Sequence, residues 1–197
     1  MSWTSPRTWV TSEVVSAAIM NTHVRDNLLE TVPSKASAAG QTVHSLAANS
    51  IAMVTASKYK TADASVNNST TLQDDAHLSW AVAANEVWAF RFYGYVTIAS
   101  GDPGFKHAFT VPAASTGSRL QQIITAAGTL APTHTADLTT ALSSTPVGLT
   151  STFVIITGVY IGGANAGTVQ FQWAQASAVA SNTTLKLGSY LDLKRLA

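Results

Sequence analysis

Five histidines, His23, His44, His77, His107 and His134, are the side chains of this chain best suited to metal or proton chemistry, yet none stands at the short spacing of a ligand pair. They are expected as surface or hydrogen-bonded residues. Asp74 and Asp75, near Asn67 and Asn68, offer oxygen ligands, but the alternating ligands and closing Glu of a calcium loop are missing. They read as turn residues. Ser, His and Asp all occur, but no Gly-x-Ser-x-Gly segment places a nucleophile on a strained elbow. The 10 acidic residues are scattered and give no carboxylate pair of the glycosidase kind. No glycine-rich loop opens a helix, so a nucleotide site has nothing to rest on. Neither catalysis, nor a metal, nor any other cofactor is expected.

Aromatic side chains offer a different chemistry, stacking. Trp80, Trp88, Tyr93, Tyr95, Tyr160 and Trp173 are candidates for a sugar-stacking platform, and the elements carrying them decide which are available. Residues Val87 to Ile98 alternate at period two. Trp88, Phe90, Phe92, Val96 and Ile98 share one face, while Ala89, Arg91, Tyr93, Tyr95 and Thr97 share the other. The first set is core. Arg91, Tyr93 and Tyr95 are therefore left for a subunit or a ligand, in keeping with the enrichment of Tyr and Arg at interfaces. Trp173 falls on the core register of its strand. Phe153 to Ile161 is apolar on both faces, Phe153, Ile155, Val159 and Ile161 against Val154, Ile156 and Tyr160, which predicts burial on both sides. Ile155 and Tyr160 join the candidate subunit contacts on that ground.

Further strands are expected at Met53–Lys60, His77–Val82 and Arg119–Thr125, and Phe105–Val111 is expected to pair with the Val87–Ile98 strand across the Gly101-Asp102-Pro103-Gly104 turn. Val169, Phe171 and Trp173 alternate with Gln170 and Gln172. Leu185, Leu187, Leu191 and Leu193 give one last strand, and Ala131–Pro146 reads as a long loop or a short helix. About eight short strands predict a mainly β chain, a jelly-roll-like β-sandwich over residues 51–197. Residues 33–50 are small and polar and read as a flexible arm.

Ahead of the arm, residues 1–32 hold one amphipathic helix. Met20, Val24 and Leu28 fall four apart on one face, Ser16 is the N-cap, and Pro33 ends the pattern. A lone helix of about 15 residues is marginal in water. The stripe is expected to dock on a partner.

The string Thr11-Ser12-Glu13-Val14-Val15, then Ala17-Ala18-Ile19-Met20-Asn21-Thr22-His23-Val24-Arg25-Asp26-Asn27-Leu28, resembles the N-terminal segment of many structural proteins of tailed bacteriophages. It covers roughly residues 3–30. Thr71-Leu72-Gln73-Asp74-Asp75, Ala84-Asn85-Glu86-Val87-Trp88, Ala166 to Gln175 and Leu187-Gly188-Ser189-Tyr190-Leu191 resemble the β-rich domain that often follows it. The resemblance implies a virion component, such as a fibre, minor tail protein or capsid decoration protein. It also implies docking to a major capsid or tail protein through Met20, Val24 and Leu28, and assembly as a homotrimer. A receptor-binding module for a host-surface glycan is the alternative.

Composition agrees with a life among copies. Charged residues make up only 11% of the 197 residues, which leaves little electrostatic protection against association. A net charge of +1, with basic residues scattered, excludes a nucleic-acid footprint. With no cysteine, disulfides and thiolate metal sites are excluded. The opening residues lack a signal-peptide pattern, and no apolar run approaches the ~20 residues of a membrane helix. The expected location is the virion, after synthesis in the host cytoplasm.

Overall fold

The computed structural model describes residues 8, 10–29, 41–47, 50–55, 57–99, 101–124, 128–144 and 150–196. The chain divides into two units, Met1–Ala56 and Ser57–Ala197. In the first, α1 (Ala17–Met20) runs through a π-helical turn (Asn21–Arg25) into α2 (Asp26–Leu29). Ser16 is extended and its Oγ accepts from the Ile19 N–H at 3.3 Å, the N-cap expected from sequence. The Asp26 N–H bonds to the Asn21 carbonyl, the wider winding of a single π turn. The same unit holds an antiparallel hairpin of β1 (Gln41–Ala47) and β2 (Ser50–Thr55).

The second unit is a β-sandwich. Its strands are β3 (Ser57–Tyr59), β4 (Ala64–Asn67), β5 (Gln73–Val82), β6 (Val87–Ile98), β7 (Phe105–Thr110) and β8 (Thr116–Ile124). They are followed by β9 (Leu130–Thr135), β10 (Leu142–Ser144), β11 (Ser151–Ile161), β12 (Gly167–Ala174), β13 (Asn182–Leu185) and β14 (Tyr190–Arg195). The smaller sheet is ordered β10-β7-β12-β5. The larger runs β3-β14-β6-β11-β8-β9, with β13 pairing both β6 and β4. Count β5 to β12 in chain order: the sixth, third, eighth and first form one sheet, and the second, seventh, fourth and fifth lie side by side in the other. That winding is a jelly roll.

Alternation drives the packing. Trp88, Phe90, Phe92, Val96 and Ile98 of β6 and Val154, Ile156 and Tyr160 of β11 face the core. Leu78, Trp80 and Val82 of β5, Phe105 and Phe109 of β7, and Val169, Phe171 and Trp173 of β12 meet them from the other sheet. Ring centroids lie 5.0 Å apart for Phe90 and Phe109 and 4.5 Å apart for Phe92 and Phe171, the range of favourable aromatic contact. Each such side chain contributes about 1.5–3 kcal/mol by leaving water. One end of the sandwich is braced by loop-to-loop bonds, from Asn85 N–H to Gly163 O at 2.8 Å, Gly162 N–H to Glu86 O at 2.7 Å, and Asn165 Nδ2 to Ala113 O at 3.1 Å.

Several expectations are corrected. The arm expected over 33–50 contains a strand at 41–47, and the boundary falls after Ala56 rather than at 50. Thr42, Val43 and their neighbours suit a strand, but the run is too polar to announce a buried face. Residues 30–40 and 48–49 lie outside the described residues, as does the expected stop at Pro33. Met53–Lys60 is not one strand but parts of β2 and β3. β6 and β7 are not a hairpin, since they lie in different sheets. Gly101, Asp102 and Gly104 all take positive φ and turn the chain across the sandwich. Residues Ala131–Pro146 supply most of β9 and all of β10 rather than a helix. The last strand is two, because the chain leaves the edge of β6 after Leu185, bulges out around Gly188 at φ +81 and rejoins the same edge in the same direction at Tyr190, which leaves Leu187 exposed between buried Leu185 and Leu191.

Candidate functional site

Met20, Val24 and Leu28 are 44%, 39% and 60% exposed on the N-terminal helix, as the expected docking stripe requires. No residue of α1 or the π turn is buried. Met20, Val24 and Leu28 recur every four residues, a spacing that sets the three exposed apolar side chains along one side of the helix.

The second candidate is the outer face of the larger sheet, where cross-strand register sorts side chains into rows. Tyr59, Tyr190, Tyr93 and Ile155 stand opposite one another on β3, β14, β6 and β11. The Tyr93 and Tyr190 rings stack with centroids 4.9 Å apart, and Tyr95 stacks on Phe153 at 5.1 Å. Together they raise an aromatic ridge. The next row reads Asp192, Arg91, Thr157, Leu120 and His134 across β14, β6, β11, β8 and β9. Behind it come Lys194, Ala89, Val159 and Ser118. Small residues there lower the floor, and a trough of about 520 Å³ results, lined by both rows. The guanidinium of Arg91 donates to the Tyr93 hydroxyl at 3.0 Å. That bond, with Asp192 opposite, raises the Arg91 pKa above its ordinary value. Arg91 is thus a fixed cation at the foot of the ridge.

Arg91, Tyr93, Tyr95 and Ile155 fall on this one face, as their registers implied. Tyr160 does not. It is fully buried on the inner face of β11 with its hydroxyl 3.4 Å from Ser115 Oγ, so it is a core residue and no contact for a partner. β11 is also not buried on both sides. Phe153 is 53% exposed and Ile161 is exposed, while β6 and β8 take up both hydrogen-bonding edges of the strand. Its double apolarity marks one core face and one outer face of a central strand. Gln170 and Gln172, on the face that the alternation leaves for solvent or another subunit, are half-buried, donating to Asp75 O at 2.8 Å and Asp74 Oδ1 at 2.7 Å.

The core holds polar groups that the sequence did not announce. Asp74 and Asp75, read as turn residues, lie in β5. Asp75 is fully buried and pairs with buried Lys60, Nζ to Oδ2 2.5 Å, while Trp173 Nε1 donates to the same oxygen at 3.2 Å. The nearest approach to a hydrolytic arrangement sits beside it. His77 Nε2 is 3.0 Å from Thr61 Oγ1, but His77 Nδ1 is 3.9 Å from Asp75 Oδ1, which instead accepts the His77 backbone N–H at 3.0 Å. A carboxylate at that distance does not orient the imidazole.

Arg119, on the inner face of β8, donates to the carbonyls of Asp137, Leu138 and Thr140 and lies 5.6 Å from the Phe109 ring centroid. Burial lowers its pKa to about 10, against the pull of Asp137. His107 is flanked by Phe105 and Phe171 and bonds to Gln121 Oε1 at 2.6 Å. Burial first, then the charge of Arg119, pushes its pKa down to about 3. Both residues order the fold. Among the described residues no group of three or more His, Asp or Glu is placed to hold a metal ion, and no helix is long and apolar enough to cross a membrane.

No family model matches the chain, and no curated protein matches it. Among solved structures it is similar to chains of infectious bursal disease virus. The Gx strain structure gives 12% identity over 77% of this chain and 44% of that one, at a TM-score of 0.17. The Gt strain structure gives 12% identity over 77% and 46%, at a TM-score of 0.14. The chain spans less than half the length of these solved chains, and likeness at that level transfers neither fold nor role.

Proposed function

We propose that the chain is a structural component of a phage virion, anchored to the capsid or tail by its N-terminal helix and projecting the jelly-roll unit as a homotrimer. The role is binding rather than catalysis. What carries the reading is the exposed apolar patch of Met20, Val24 and Leu28 within the segment that resembles phage structural proteins. A patch of this kind costs free energy in water and is stabilised when a partner covers it. The low charge content supports multiple copies. The sandwich covers only the Val154, Ile156 and Tyr160 face of β11, so its outer apolar face, with Phe153 and Ile161 exposed, is left for a copy to cover. Labelling the protein in purified particles and imaging the label tests the role. Signal at defined positions on the head or tail is expected, and particles free of the protein would contradict it.

A further inference from the structure

The trough beside the tyrosine ridge has a chemistry of its own, independent of the anchoring role. Its long row, Asp192-Arg91-Thr157-Leu120-His134, crosses five adjacent strands, about 19 Å at ordinary strand spacing. Along that length charged donors and acceptors, a hydroxyl and an imidazole alternate with the apolar Leu120. Ser118 and Lys194 add a second line of polar groups over a floor of Ala89 and Val159. The neighbouring row of the sheet, one step along the strands from the trough, is aromatic, with the Tyr93–Tyr190 stack running on to exposed Tyr59.

A surface meant to close on protein favours Arg and Tyr but keeps Lys and Asp out of its centre. Here Arg91, Asp192 and Lys194 all line the depression itself. A ligand matching this pattern is elongated, carries hydroxyls along its edges and apolar C–H faces that lie on rings, and has negative charge, since two cations face one carboxylate. We infer that the trough binds a linear oligosaccharide containing a carboxylated sugar. One pyranose face packs on the Tyr190 ring, on the side its stack with Tyr93 leaves open, the carboxylate is drawn to Arg91 and Lys194, and hydroxyls bond to Thr157, Ser118 and His134.

The test is an oligosaccharide array bearing neutral and uronate-containing chains, probed with the full chain and with Tyr190→Ala, Tyr190→Phe and Arg91→Ala, each checked for wild-type folding and mass by circular dichroism and sedimentation. The wild type should favour uronate-containing chains. Tyr190→Ala should lose about tenfold or more on all of them, the scale of one good contact, while Tyr190→Phe should keep binding. Arg91→Ala should erase the preference for acidic chains. Absence of binding, or binding indifferent to Tyr190→Ala and Arg91→Ala, overturns the inference. So does a change of sedimenting mass in Tyr190→Ala or Arg91→Ala, which would make this face a contact between copies.

Discussion

Lys60 Nζ lies 2.5 Å from Asp75 Oδ2, with both side chains withdrawn from water. Trp173 Nε1 and the His77 backbone N–H complete the carboxylate's partners. Two desolvated charges held this closely contribute little net stability, but removing one strands the other. Asp75→Ala is expected to lower the unfolding free energy by about 3–5 kcal/mol, and Lys60→Met with Asp75→Leu to recover most of it. Urea denaturation measures both. A single variant as stable as wild type would mean that water reaches Lys60.

Acid should weaken the sandwich through His107. Folded, its imidazole stays neutral down to pH about 3, whereas in the unfolded chain it takes a proton near 6.5. Below 6.5 the unfolded state therefore binds a proton that the folded state refuses. The stability from this group is complete above pH 6.5 and falls by about 1.4 kcal/mol per pH unit between the two values. His107→Phe, between Phe105 and Phe171, should flatten that part of the pH profile even if it costs stability at neutral pH, since Gln121 loses its partner. An unchanged slope in the variant would show that other groups carry the acid response.

Arg119 holds the β9–β10 connection by three carbonyls. Arg119→Met keeps the length of the side chain and removes every donor. Destabilisation of roughly 3 kcal/mol is expected from the carbonyls left without it, together with faster amide hydrogen exchange around Leu138–Thr140. Exchange at wild-type rates would assign the loop's order to Asp137 and its bonds to Thr139 instead.

Alternation made the core of β6 legible residue by residue, and with it the outward placing of Arg91, Tyr93 and Tyr95. The same logic failed on β11, because a central strand in a twisted sheet can be apolar on both faces while only one is covered. Tyr160 was offered to a partner for that reason and belongs to the core. Short polar strands such as β1, β9 and β10 carry too few apolar residues to betray a period, and the bulge around Gly188 was hidden inside a run of alternating leucines. The ion pair of Lys60 and Asp75 was invisible in principle. It joins a residue just past the end of β3 to one on β5, whose proximity only the fold creates. The trough was equally hidden, since its rows exist only once β14, β6, β11, β8 and β9 are side by side in register.

The anchoring helix decides the account. Val24 sits mid-patch, between Met20 and Leu28, on an exposed side of the helix. Val24→Asp should leave the jelly-roll unit folded, by circular dichroism and thermal melting. A charge forced into an apolar contact costs several kcal/mol, so the variant should be missing from assembled particles. The measurement is its copy number in purified virions by quantitative mass spectrometry, beside the wild type. Near-complete loss is the predicted result, and incorporation at the wild-type copy number would contradict it.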